Sequence, residues 1–340
     1  MKDPLFKIKE KGKYGFINSG GEVVIEPQYI AAEDFYHGFA RVKFNDKLVH
    51  LDHLGRPLLK HLFNYAGLFE ENLARVQLIK RWGYIDERGN VAIDIQYEKA
   101  GDFSEKLAAV CLHQSYGYIN QDDYFIISPK YETARGFHQG LAAVQYNQYY
   151  GFIDRSGEWQ IPPRFKTAFS FQGEVAVVVE AQKWGLINRT GEYLFTPQFD
   201  YLEDYSNGDF FDGMAIIVQN ERFGFINQAG QLVVPPKYTF AGDFGEGLAL
   251  IEEDGQYGYI NKEGNLVIPP KFADAGVFSD GLAQVSTGKH WGYINTDGDM
   301  VISPQFGTAS PFRQGLALIG YQGGWAYIDR SGNIVWQEKG

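Results

Sequence analysis

Cysteine is nearly missing from this 340-residue chain, with Cys111 the single thiol. One thiol closes no internal disulfide, so nothing in the sequence calls for an oxidising compartment. No run approaches the roughly 18 apolar residues a membrane-spanning helix needs. The opening segment, MKDPLFKIKEKG, carries no apolar core of a secretory signal, which predicts a cytoplasmic protein. Basic charge is also in deficit. Lysine plus arginine number 31 against 42 acids, a net charge of −11, the wrong sign for a nucleic-acid or anionic-membrane surface. The sequence has no Walker A loop, no Gly-x-Gly-x-x-Gly opening a helix and no Gly-x-Ser-x-Gly elbow. The expectation is therefore a chain without cofactor or catalytic residues. Apolar material is plentiful: 44% of residues are hydrophobic, enough to bury a core.

The order of those residues is periodic. An aromatic-glycine pair recurs at Tyr14, Trp82, Tyr116, Tyr150, Trp184, Phe223, Tyr257 and Trp291, with degenerate forms at Leu48-Val49 and Trp325-Ala326. Eight of the nine intervals between these ten anchors are 34 residues, and the interval from Trp184 to Phe223 is 39. This is a tandem array of ten units over residues 1–340, read as one domain, with a five-residue insertion within 200–212.

Other columns keep their phase. Four residues after each anchor stands Asn or Asp, and seven after stands Gly in every unit except at Asp123. An Asx residue three before a glycine is turn chemistry: the side chain accepts backbone N–H groups and glycine takes the positive φ. Proline stands 13 after the anchor in seven units, and Tyr or Phe 15 after in nine. Short segments rich in Val, Ile and aromatics, such as Leu73–Leu78, Trp82–Asp86 and Val91–Asp94, separate these turns and read as a three-stranded antiparallel meander. Prolines exclude the stretch around Pro270-Lys271-Phe272-Ala273 from a central strand, so it is read as an irregular connection.

The middle strand is apolar on both alternations and must be covered on both faces, which one unit cannot do for itself. The predicted fold is all-β, with ten meanders stacked in register as an open, curved solenoid. A closed, propeller-like ring is the alternative, since ten blades exceed the usual four to eight.

The string Trp291-Gly292-Tyr293-Ile294-Asn295, followed by Gly298, Val301-Ile302, Pro304, Phe306, Ala309, Phe312 and Gly315-Leu316-Ala317, resembles the WG (or KWG) repeat family of bacterial tandem repeats. Lys13, Lys47, Arg81, Lys183, Arg222 and His290 precede their anchors and fit the longer name. The resemblance implies a non-catalytic repeat scaffold that binds protein or other ligands, with no active site to carry over.

Each chemical feature also has an ordinary reading. The anchors Tyr14, Trp82, Tyr116, Tyr150, Trp184, Phe223, Tyr257, Trp291 and Trp325 are read as core because the same phase packs the same interface. The Asx column makes a line of turn caps rather than a calcium cage. His50, His53 and His61 cluster in the second unit, with His37 upstream, but without a cysteine or second pair, and are read as exposed in a decayed repeat, with no metal site. Cys111 is read as a buried, inert thiol, and the acidic pair Glu252-Glu253 as no glycosidase dyad. The insertion is the most informative irregularity. Tyr201, Glu203, Asp204, Tyr205, Asp209 and Phe211 form an acidic, aromatic stretch suited to a basic partner. The leading expectation is thus a scaffold for protein–protein interaction through an extended acidic surface, with self-association through the end units as a further possibility. The alternatives are a glycan or cell-wall binder using Tyr36, Tyr146 and Tyr321, and a structural spacer or sensor module.

Overall fold

The computed structural model describes residues 3–44, 47–58, 63–202 and 208–339. Among them lie ten small antiparallel sheets, each built from strands consecutive in the chain. Two compact units can be distinguished. The first comprises residues 1–18, 23–180 and 187–193; the second comprises 19–22, 181–186 and 194–340.

A representative sheet of the first unit runs Lys99–Ala100, Ala108–Leu112, Ser115–Ile119, Phe125–Tyr131, in that spatial order. Seven sheets have four strands, two have the predicted three, and one joins Ala31–Ala32 to Phe39–Phe44 and Lys47–Asp52. The added strand comes from the segment read as irregular connection: two residues such as Lys99–Ala100 pair with Cys111 and Val110. Tight turns join the second and third strands. His113-Gln114 and Asn147-Gln148 both take positive φ, which gives the turn the twist of the strands it joins.

The prolines also depart from expectation. In seven sheets they lie inside the last strand, as in Leu266–Phe272, not in a loop. That strand is the sheet's edge, where a missing N–H costs no ladder bond. Its register explains the anchor glycine. Tyr259 pairs with Ile268 and Tyr257 with Phe272, so a two-residue step on one strand faces a four-residue step on the other. The bulged backbone folds down over Gly258, where a Cβ would stand 2.5 Å from the Ile268 carbonyl oxygen and 2.6 Å from the Pro270 nitrogen. The same crowding recurs at Gly83, Gly117 and Gly151. In the last sheet the register runs Ala326↔Gln337 and Tyr327↔Trp336 without that bulge, and there the anchor glycine has become alanine.

Sheets pack through the turn glycine seven after the anchor. Gly55 lies against Ile25, Gly157 against Ile127 and Gly191 against Ile161 in the first unit; Gly264 lies against Val234, Gly298 against Ile268 and Gly332 against Ile302 in the second. Each turn leans on the last strand of the sheet before it. Gly21, in the first turn of the chain, continues the rule within the second unit: a Cβ there would run into the Val335 carbonyl of the last sheet. The first turn of an open solenoid has no preceding strand to lean on. The ten sheets are therefore the blades of a ten-bladed β-propeller, and the open solenoid is wrong. No strand is shared between the first sheet, Phe6–Tyr29, and the last, Thr308–Gln337.

Candidate functional site

Most of the repeated columns serve the fold. Nine members of the Asx column, from Asp52 to Asp329, accept the backbone N–H groups two and four residues on, as Asp154 does from Ser156 and Glu158. They are turn caps. Where glycine fails at Asp123, its carboxylate instead takes the Tyr97 hydroxyl of the preceding sheet at 2.5 Å.

The anchors divide. Trp184 is 1% exposed and packs on Phe195 and Phe199, and Phe223 is buried. Tyr14, Trp82, Tyr116, Tyr150, Tyr257 and Trp291 are half-buried. Trp325, read as core, is 43% exposed. The deepest aromatics stand two residues after the anchor, at Phe16, Tyr84, Tyr118, Phe152, Phe225, Tyr259 and Tyr293. Each meets a phenylalanine of its own repeat, as Tyr118 meets Phe137 at 4.7 Å. The tyrosines among them spend their hydroxyls on a carbonyl 17 residues on: Tyr84 on Gly101, Tyr118 on Arg135, Tyr259 on Gly276 and Tyr293 on Ser310.

His50 belongs to this column and corrects the reading of exposed histidines. It is 2% exposed, lies 4.8 Å from the Phe69 ring, and meets the Gly67 carbonyl through Nε2 at 2.6 Å. A carbonyl only accepts, so Nε2 carries the proton and the ring stands in for tyrosine. Burial pulls its pKa down to about 4, against the raising effect of that hydrogen bond. His37 is exposed and stacks on Tyr36, and His53 is half-buried. His61 lies outside the described residues.

Sequence reasoning missed an acidic column. Glu71, Glu105, Asp212, Glu246 and Asp280 each sit at positive φ in the turn opening the second strand. Each accepts a backbone N–H 35 residues on: Glu71 from Lys106, Glu105 from Gly140, Asp212 from Gly247, Glu246 from Gly281 and Asp280 from Gly315. The signal was legible as an acid standing 11 before the anchor. Part of the acidic surplus therefore ties sheet to sheet.

Of the insertion residues, Glu203, Asp204 and Tyr205 lie outside the described residues. Tyr201 is half-buried with its N–H on the Gln182 carbonyl, whereas Asp209 and Phe211 are exposed, Phe211 by 42%. Cys111 is buried on Ala108–Leu112; burial first, then the Glu98 carboxylate, pushes its thiol pKa up. Glu252 and Glu253 are successive residues of Leu248–Glu253 and so face opposite sides of the sheet. Tyr36 and Tyr146 are both exposed in the first unit, Tyr36 stacked on His37 and Tyr146 beside Trp159.

Two cavities stand out, one in each unit. The first, about 680 Å³, is lined by Glu70, Arg75, Trp82, Lys99, Asp102 and His138 among others. Two of its charges are spent on each other. Arg75 pairs with Asp102 at 2.9 Å, donates to the Ala100 carbonyl at 3.0 Å and covers the Trp82 ring. The second, about 610 Å³, opens beside Tyr321 and Trp325 in the last sheet.

The family model for the WG-containing repeat matches nine tandem segments: 14–47, 51–78, 82–114, 116–150, 150–184, 184–222, 223–257, 257–289 and 291–324. The chain belongs to the WG-repeat family. Among curated proteins none matches it. Solved structures do. A eukaryotic initiation factor is similar over 99% of this chain and 96% of its own, at 11% identity and a TM-score of 0.52. BamB from Moraxella catarrhalis covers 88% of this WG-repeat chain and 90% of its own, at 10% identity and a TM-score of 0.41. The dihydro-heme d1 dehydrogenase NirN covers 98% and 73%, at 12% identity and a TM-score of 0.40. At these identities the likeness to the initiation factor speaks for the propeller fold alone. Among the described residues no helix is long and apolar enough to cross a membrane.

Proposed function

We propose that this WG-repeat propeller is a non-catalytic scaffold for protein–protein interaction, acting in the cytoplasm, and that its partner is basic. The observation that carries the reading is the division of labour among its residues. The columns at fixed phase are consumed by turns, inter-sheet hydrogen bonds and core, so ligand choice falls to the positions that vary between units. The acidic, aromatic stretch after Asp200 is the largest such variation, and it ends in the exposed Asp209 and Phe211. The net charge of −11 favours a basic partner whose association is weakened by salt.

The test is affinity capture from native lysate on the immobilised chain, eluted with a salt gradient and read by mass spectrometry. One dominant basic protein released by moderate salt is the expected result. Replacing Tyr201, Glu203, Asp204, Tyr205, Asp209 and Phe211 by Ser or Gly should abolish its capture while thermal unfolding stays unchanged. Unchanged capture by that variant would remove the insertion from the interface, and the absence of any enriched protein at low salt would overturn the scaffold reading.

A further inference from the structure

We propose that the cavity beside Trp325 is a binding site for a neutral oligosaccharide. It exists because of three glycines. Gly324 precedes its anchor, where the other nine units carry Lys, Arg, Ser, Tyr, Gln or His. Gly320 stands five before the anchor, where the others carry Lys, Gln, Cys, Val, Glu or Ser. Gly307 stands 16 after the Trp291 anchor, and no other unit has glycine there. In intact units these columns are bridged across the sheet surface, as Lys183 is to Asp200 and Arg81 to Glu98. Here Gly307 stands where the unit of His290 would carry the carboxylate and Gly324 where the next unit would carry the cation, and a cavity of about 610 Å³ opens beside them. That is within the range of small-ligand pockets.

Its lining selects the ligand class. The Trp325 indole is 43% exposed, whereas its counterpart Trp184 is 1% exposed. Tyr321 flanks it, steadied edge-on against Phe306. A half-exposed indole offers a flat apolar face, the surface that the C–H face of a pyranose ring covers. Around it stand Gln305, Gln322, Thr308 and His290. The amides and the hydroxyl each donate and accept, as sugar hydroxyls require. The one carboxylate in the lining is Glu338, whose Oε2 accepts the backbone N–H of Trp325 at 3.2 Å. No lysine or arginine lines the cavity among the described residues, so a phosphorylated or otherwise anionic ligand would meet a carboxylate without a compensating cation.

The glycines also supply the control. A Cβ on Gly324 meets nothing nearer than Glu338 Oε2 at 3.4 Å, and one on Gly307 nothing nearer than the Gly320 oxygen at 3.7 Å. Gly324→Arg and Gly307→Glu therefore refill the cavity with the side chains that other units carry, and both should fold. Gly320 is unsuitable, because its Cβ would meet Thr308 Oγ1 at 2.6 Å.

The experiment is titration of the full chain, by calorimetry and saturation-transfer NMR. The probes are hexamers of β-1,4-linked glucose, α-1,4-linked glucose and β-1,4-linked N-acetylglucosamine, with a neutral Gly-Ser peptide alongside. At least one hexamer should bind with a dissociation constant between about 10 μM and 1 mM. Gly324→Arg and Trp325→Ala should each weaken it at least tenfold, with capture of the protein partner unchanged. The proposal is overturned if no hexamer binds, if the peptide alone binds, or if Gly324→Arg binds sugar as well as the parent chain.

Discussion

His50 shows how one residue can carry a repeat's deviation without breaking the repeat. It occupies a tyrosine position and keeps the tyrosine's hydrogen bond, to a carbonyl 17 residues on. The exchange makes stability depend on pH. The folded state holds His50 neutral to about pH 4, while an unfolded histidine titrates near 6.5. A depressed histidine pKa means that protons favour the unfolded chain. Its contribution is complete above 6.5, falls as pH drops through that value, and levels off below about 4. At pH 4.5 the loss should be about 2–3 kcal/mol. Urea unfolding at pH 7 and pH 4.5 should show it, and His50→Tyr should remove most of the difference. Arg41 and Glu33 also act on this histidine and belong in the comparison. Cys111 gives a second residue-scale prediction: buried, with its thiol pKa raised, it should resist alkylation in the native chain and react fully on unfolding. From sequence the thiol was legible and the histidine was not. The thiol stands in an apolar strand that reads as buried, whereas only the tyrosine column, seen with its carbonyl partners, shows how a histidine there can be buried.

At the scale of the element, the anchor glycine and the prolines are one feature. Two extra residues in the edge strand bulge over the glycine, and the prolines need that unpaired edge. Gly258→Ala should therefore cost about 2–3 kcal/mol, because the atoms a Cβ would strike are backbone. Ala326→Gly, in the sheet without the bulge, should cost no more than about 1 kcal/mol through chain entropy. Thermal unfolding of the two variants checks the contrast. Trp184→Ala should be costlier than either, about 3–5 kcal/mol, since it empties a fully buried indole site beside Phe195 and Phe199. Turns and strands were readable because Asx and glycine mark them chemically. The proline strand was misread because the rule excluding proline applies to central strands, and position in a sheet is not written in local sequence.

At the scale of the whole molecule, the distinction between solenoid and propeller rests on a small rotation per unit, which no residue type encodes. Among the described residues, the contact of Gly21 with Val335 reveals it. The same contact changes what truncation should do. Deleting residues 308–340 removes a sheet from Gly332's partner Ile302 and also strips the 19–22 turn of its own support. The loss of thermal stability should exceed that of a single inter-sheet contact, and a drop equal to one contact would contradict the closed order. The candidate sites were legible only in part. The insertion announced itself by breaking the 34-residue register. The cavity in the last sheet is made by missing side chains, and it became visible only once Trp325 was found exposed.

Because each described sheet is made of residues consecutive in the chain, its pairing needs no segment from elsewhere. Added length between two sheets, as the 39-residue interval already carries, should therefore leave the pairing inside every sheet intact. The chain should thus tolerate extra length between its blades far better than within them.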